Sequence, residues 1–179
     1  MSLLTRMASL LRRFAHRRDG MAAVELGLIG PVFFAMIFAI IDVGGLLAQS
    51  MLLDRAVDKA VRTVRVRGGL TTISQTQFRD SVCSGMMLYA TGCAERLTVE
   101  MSVIKSTANF PSSSVPCVTK DVPQPTVNFN TGARSDMVFV RACYLVDPLV
   151  PILGSGLGLP RNDSGGFNVV TTSGFVNEP

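Results

Sequence analysis

The sequence contains little histidine and few charged residues, and each shortage excludes a class of function. Its single histidine is His16, so catalytic triads and metal sites that depend on histidine lack their usual residue. Charged side chains make up 17% of the 179 residues against 47% hydrophobic ones, which excludes a disordered chain. We therefore expect a folded, non-enzymatic protein without a metal or other cofactor. Five dispersed carboxylates are expected to be solvated surface groups: Asp80, Glu95, Glu100, Asp136 and Asp147.

The excess of positive charge is confined to residues 1–20. This leader holds five of the 17 basic side chains and one of the 13 acidic ones, so it carries the whole formal net charge of +4. A nucleic-acid-binding domain would need a basic surface of its own, and residues 21–179 are balanced in charge. The composition therefore predicts no nucleic-acid partner.

A run without any charge covers residues 26–41 and lies within a longer apolar stretch, residues 21–48. A helix needs about 20 apolar residues to cross a bilayer, so this stretch can span a membrane once. From Leu46 the pattern becomes that of an amphipathic helix, which we expect to end at Gly68. Its apolar stripe consists of Leu46, Leu53, Val57, Ala60 and Val64.

Basic residues flank the apolar stretch in equal number, so their count alone does not orient the helix. Arg17 and Arg18 stand closest to the apolar run, which favours a cytoplasmic N-terminus. Cysteines that form disulfides need an oxidising compartment, and all of them follow the apolar run. The sequence therefore predicts a single-pass inner-membrane protein whose C-terminal part is periplasmic.

The four cysteines, Cys83, Cys93, Cys117 and Cys143, form no C-x-x-C pair and have no neighbouring histidine. This spacing indicates structural disulfides rather than a zinc site. Four cysteines allow three pairings, and the cost of loop closure favours Cys83 with Cys93 and Cys117 with Cys143.

Three segments have the composition of β-strands, namely residues 97–105, 137–146 and 167–176. The sequence thus predicts an α+β fold, in which a long hydrophobic and then amphipathic N-terminal helix precedes a small, disulfide-stabilised, β-rich head. The expected domains are a basic leader over residues 1–20, a helix over residues 21–68 and a head over residues 69–179.

The junction RRDG-MAAVE-LGLIGP joins the leader to the apolar helix through Gly20, with Glu25 at the fifth position after the glycine. Together with the stretch MVFVRACYLVDPLVPILG and the terminal Asn177-Glu178-Pro179, it resembles the TadE-like pseudopilins of tight-adherence (Flp-type, type IVc) pili. The resemblance implies cleavage after Gly20 by a prepilin peptidase, which leaves Met21 as the new N-terminus.

The same resemblance implies a structural role and a set of partners. The chain would be a minor pilin that initiates or caps an extracellular pilus used for surface attachment. It would assemble with a major Flp-type pilin, a TadF-like minor pilin and the Tad inner-membrane platform.

Glu25 is the principal candidate for assembly. An ionised carboxylate within the apolar layer costs several kcal/mol unless it is paired. After cleavage the nearest candidate cation is the α-amino group of Met21, in the same chain or a neighbour, and the resemblance implies that this glutamate recruits the next subunit. Alternatively, Glu25 lies close enough to the interface to snorkel, or stays neutral.

Four further residues are candidates for helix packing. Gly27 and Gly30 supply small surfaces for close approach of another helix. Pro31 removes one amide donor, so a kink or a melted turn is a hypothesis there. Asp42 lies near the outer end of the apolar run and fits a functional acid and a headgroup-level acid equally well.

Two other classes of protein share part of this pattern. A periplasmic binding domain with an uncleaved membrane anchor would explain the helix and the cysteines but not the spacing of Gly20 and Glu25. A secreted protein with a conventional signal peptide would need a shorter apolar run and a small-residue cleavage site after it.

Overall fold

A computed structural model of the chain describes residues 19–67, 73–106, 110–112, 117–120, 122–148, 162 and 165–178. Nearly all of the predicted leader, with His16, and the predicted helix stop at Gly68 lie outside the described residues.

A single long helix, α1, occupies Asp19–Arg67. The chain divides into two compact units, and the boundary falls inside this helix between Ile41 and Asp42. The helix has no break at Pro31, so a melted turn is not found there. The proline removes one amide donor, and the helical turns before and after it persist.

The N-terminal unit is an apolar helix whose side chains face outward. Twelve of its large hydrophobic residues, from Met21 to Ile41, are between 49% and 73% exposed. The stretch Gly20–Val66 is long and apolar enough to cross a membrane, and only 6% of its most apolar part is buried. The single predicted span is therefore found as one helix.

The second unit contains a three-stranded antiparallel sheet in the order β1-β2-β3. The strands are β1 (Leu97–Val103), β2 (Met137–Val146) and β3 (Phe167–Val176). The last two coincide with the predicted strands, whereas β1 ends before residue 105. The amide of Ile104 still donates to the carbonyl oxygen of Met137 over 2.8 Å, after which the chain leaves the sheet.

The C-terminal half of α1 shares its core with one face of this sheet. Alternate residues of β2, including Val138, Val140 and Ala142, are fully buried in one cluster with Leu53 and Val57. The predicted apolar stripe is confirmed, because Ala60 and Val64 are buried too and Leu46 packs at the margin of the cluster. This half of the helix is thus part of the head's core.

A second helix, α2 (Gln75–Gly85), was not predicted from the sequence. It starts with a capping box, in which the side chains of Ser74 and Gln77 each bond to the other residue's backbone. Phe78 and Val82 bury its apolar side. A Cβ added at Gly85 would stand 2.8 Å from the Cβ of Ala56 in α1, so only glycine allows this close approach. A 3-10 turn (Met87–Tyr89) and the short helix α3 (Cys93–Arg96) connect α2 to β1.

Candidate functional site

The residues predicted for processing and assembly occupy the first turns of α1. Gly20 and Met21 follow the helix start at Asp19, and Met21 is 69% exposed. Glu25 lies four residues after Met21 and is also exposed. Residues spaced four apart lie on the same side of a helix, so the backbone nitrogen of Met21 and the carboxylate of Glu25 belong to one face.

The candidate packing residues differ in exposure, because Gly27 is exposed whereas Gly30 is buried. At Gly27 and Gly30 an added Cβ would meet no atom within 4 Å. Pro31 is exposed beside them, and Asp42 is half-buried in the second unit. The structure therefore leaves room for another helix at Gly27, while the packing role of all four residues stays a prediction.

Two disulfides tie segments outside the sheet to their neighbours. Cys83 of α2 is joined to Cys93 of α3, with 5.7 Å between the Cα atoms. Cys117 is joined to Cys143 of β2, with 5.5 Å between the Cα atoms. This is the pairing that loop closure favours in the sequence. The second bridge fixes residues 117–120 to the sheet.

The sheet face opposite the core holds a nearly buried ion pair. Arg141 of β2 is 7% exposed and stands directly across from Glu100 of β1, its partner in the strand register. Its Nε and Nη2 groups donate to one Glu100 oxygen over 3.1 and 2.5 Å, and Nη1 donates to the Ser112 carbonyl oxygen over 2.7 Å. The expectation that Glu100 is a solvated surface group is therefore wrong.

Asp147 is the second carboxylate for which the prediction of a solvated surface group is wrong. It lies 2.8 Å from a guanidinium nitrogen of Arg96 and 2.6 Å from the ammonium of Lys120. Burial would raise the pKa of Asp147, but the adjacent Lys120 and Arg96 charges outweigh it and hold that pKa below its usual value. Through these two ion pairs, Asp147 links α3 and residues 117–120 to the end of β2.

The C-terminal Asn177, quoted above only as part of a motif, is a buried structural residue. Its side-chain amide donates to the carbonyl oxygens of Thr131 and Ala133, each over 2.9 Å. Its backbone amide donates to the carbonyl oxygen of Asp136, over 3.1 Å. These bonds hold the turn before β2, in which Ser135 has a positive φ of 64°. The side chain of Asp136 also bonds inside this turn, to the amide of Ala133, and is not purely a surface group.

Replacing Asn177 by alanine is expected to lower the free energy of unfolding of the head by about 2 kcal/mol, because two hydrogen bonds donated by a buried side chain are lost. Native-state hydrogen exchange of the β2 amides, in the full chain in detergent micelles, measures this change. Asn128→Ala is the matched control, since that residue is exposed. Equal losses in the two variants would contradict the structural role of Asn177.

The comparison with known proteins singles out the helix. Residues 20–62 match the model of the family described as TadE-like protein. No curated protein and no solved structure matches the chain. The matched segment starts at the candidate processing residue Gly20 and lies within α1. The resemblance predicted from the leader junction is thus confirmed over residues 20–62, in agreement with a TadE-like pseudopilin associated with the tight-adherence pilus.

Proposed function

We propose that this protein is a non-enzymatic minor pilin, processed after Gly20 and assembled through α1 to initiate or cap a tight-adherence pilus for surface attachment. The observation that carries the proposal is the exposed carboxylate of Glu25 in the outward-facing apolar helix, four residues after Met21. The family match to this helix supports the same assignment. Its partners would be the prepilin peptidase, the Tad inner-membrane platform, the major Flp-type pilin and a TadF-like minor pilin.

Assembly would exchange one apolar surrounding for another. The hydrophobic effect would not drive the large side chains of residues 21–41 out of the lipid, because acyl chains are as apolar as leucine. Close packing around Gly27 and Gly30 and the pairing of Glu25 with an amine would then supply the driving force. A lone acid in the membrane thus favours the filament over the free subunit.

Cleavage would create the amine that this pairing needs. Gly20 lies in the first turn of α1, and glycine costs about 1 kcal/mol of helix stability relative to alanine, so this turn opens readily. An aspartyl peptidase that binds extended backbone would therefore gain access there more easily than in the following turns. The new α-amino group of Met21 would lie on the same helix face as Glu25.

The N-terminal residue of the protein from native membranes tests this proposal. We expect Met21 at the N-terminus in cells that contain the prepilin peptidase and the complete leader in cells without it. Gly20→Val should retain the leader in both, because a β-branched side chain blocks the cleavage position, whereas the control Gly27→Ala should be processed. Mass spectrometry of the intact chain distinguishes these species.

A complete leader in both strains would contradict processing and favour the uncleaved membrane-anchored binding domain. An N-terminus beyond the apolar run would instead indicate a conventional signal peptide. Either result would also remove the amine on which the role of Glu25 depends.

A further inference from the structure

An open cavity of about 460 Å³ lies on the surface of the head. Its walls come from α2, α3, residues 118–120, 122 and 124, and the end of β2. Three cationic side chains line it, Arg79 from α2, Arg96 from α3 and Lys120 from the segment that follows Cys117. Val118, Val122 and Leu145 supply apolar surface between them. The cavity therefore combines positive charge with room for a small molecule.

Arg79 has no carboxylate partner among the residues that the structure describes. Its Nη1 group donates to Oε1 of Gln124 over 2.6 Å, and its buried Nε has no acceptor in the described part of the chain. Arg96 and Lys120 differ, because both bind the carboxylate of Asp147. A half-buried guanidinium that has only a neutral amide as partner is costly, and an anion in the cavity would offset this cost.

Gln124 holds that guanidinium in place. Its Nε2 group donates to the carbonyl oxygens of Ala94 and Glu95, over 2.8 and 3.2 Å. The side chain thus spans from α3 to Arg79 and fixes the guanidinium at the cavity wall. Because Arg79 is positioned before any ligand binds, little side-chain entropy would be lost on binding.

Both disulfides stabilise the walls of this cavity. The Cys83–Cys93 bridge joins α2, which carries Arg79, to α3, which carries Arg96. The Cys117–Cys143 bridge fixes the segment with Lys120 to β2. The relative positions of the three cations are therefore set by covalent links as well as by packing.

The local charge balance selects the class of anion. Among the described residues, the three cations face two acids, Glu95 in the wall and Asp147, which is shared by Arg96 and Lys120. One positive charge remains, and a planar guanidinium matches a carboxylate in shape. We propose that this cavity is a binding site for a single carboxylate group on a small molecule, recognised through Arg79. The site lies wholly within the head and does not depend on processing or pilus assembly.

Titration of the full chain in detergent micelles with sodium glucuronate tests the site. The readout is the ¹⁵N–¹H resonance of the Arg79 Nε group, identified by its absence in Arg79→Lys. We expect a saturable shift with glucuronate and none with glucose, which lacks the carboxylate. N-acetylglutamate amide, titrated in parallel, distinguishes an amino-acid carboxylate from a sugar acid, since the source with the lower dissociation constant is the better match.

Variants connect the binding to the named cations. Arg79→Gln should weaken glucuronate binding about tenfold or more, because a charge-assisted bond is lost. Amide resonances near the cavity report binding in this variant. Lys120→Gln, at an exposed position, should weaken it about threefold through the loss of a screened charge. The control Arg134→Gln changes an exposed arginine outside the cavity and should leave the affinity unchanged.

Three results would overturn the proposal. One is a linear shift that does not saturate with either carboxylate. Another is equal glucuronate affinity in Arg79→Gln and Arg134→Gln, which would mean that binding depends on the net charge of the protein and not on Arg79. The third concerns Asp121, the neighbour of Lys120 in the sequence. Saturable binding by Asp121→Asn but not by the unmodified chain would mean that the protein's own carboxylate already occupies the site. Normal processing and assembly with any of these results would leave the pilin proposal intact.

Discussion

Replacing Glu25 by glutamine is expected to exclude the protein from pili and leave it in the membrane. The substitution keeps the shape of the side chain and removes the carboxylate that would pair with an α-amino group. If the pairing is worth about 2 kcal/mol in the apolar layer, incorporation should fall about thirtyfold. The measurement is the ratio of this protein in the sheared pilus fraction to that in the membrane fraction.

Matched variants separate the charge from the helix that carries it. Glu25→Asp keeps the carboxylate and should retain a substantial part of the incorporation. Gly27→Ala, on the open helix surface, should affect packing without removing the charge. Membrane insertion, measured by carbonate extraction, should be unchanged in Glu25→Gln, because the neutral amide costs less in the apolar layer than an ionised acid. Normal incorporation of Glu25→Gln would reject the assembly role and favour an interfacial glutamate.

The second large effect is expected in the head, at the pair of Glu100 and Arg141. Glu100→Gln leaves Arg141 charged and 7% exposed without a compensating carboxylate. Removal of one partner from a buried pair costs about 3 kcal/mol or more, so we expect a loss of that size in the unfolding free energy of the head. Hydrogen exchange of the Val140 amide, in the centre of β2, measures it.

The double replacement of this pair gives a sharper test than either single change. Methionine at both positions substitutes apolar side chains for the ions and should cost much less than Glu100→Gln alone, since no unpaired charge remains. Glu95→Gln is the control for loss of a carboxylate, because Glu95 is exposed. A cost below about 1 kcal/mol for Glu100→Gln would identify the pair as a solvent-screened one.

The sequence predicts the elements that follow a simple periodicity. Residues 21–48 are long and apolar enough to predict a membrane-spanning helix, and the stripe from Leu53 to Val64 recurs with helical spacing. β2 and β3 are rich in β-branched residues, so their bounds agree with the prediction. Local closure similarly favours the disulfides found, because each joins cysteines that are near in the chain.

The features that could not be predicted from the sequence depend on contacts between residues that are distant in the chain. Helix α2 has only three buried residues, so its periodicity is weak, although Ser74 and Gln77 form the S-x-x-Q pattern of a capping box. Arg141 stands in an apolar strand, which signals that it needs a partner, but its pairing with Glu100 follows from a strand register that one sequence does not define. The cavity at Arg79 likewise requires four segments to meet.

The placement of the cysteines has a consequence for the order in which the head is made. Both disulfides lie within residues 83–143, whereas β3 begins at Phe167 and, among the described strands, pairs only with β2. Because the chain is synthesised from its N-terminus, both disulfides can form before the residues of β3 have been made. The covalent scaffold then presents β2 with one open edge, and the last strand completes the sheet by adding to it. The cysteines would thus be oxidised first, and β3 would pair with β2 afterwards.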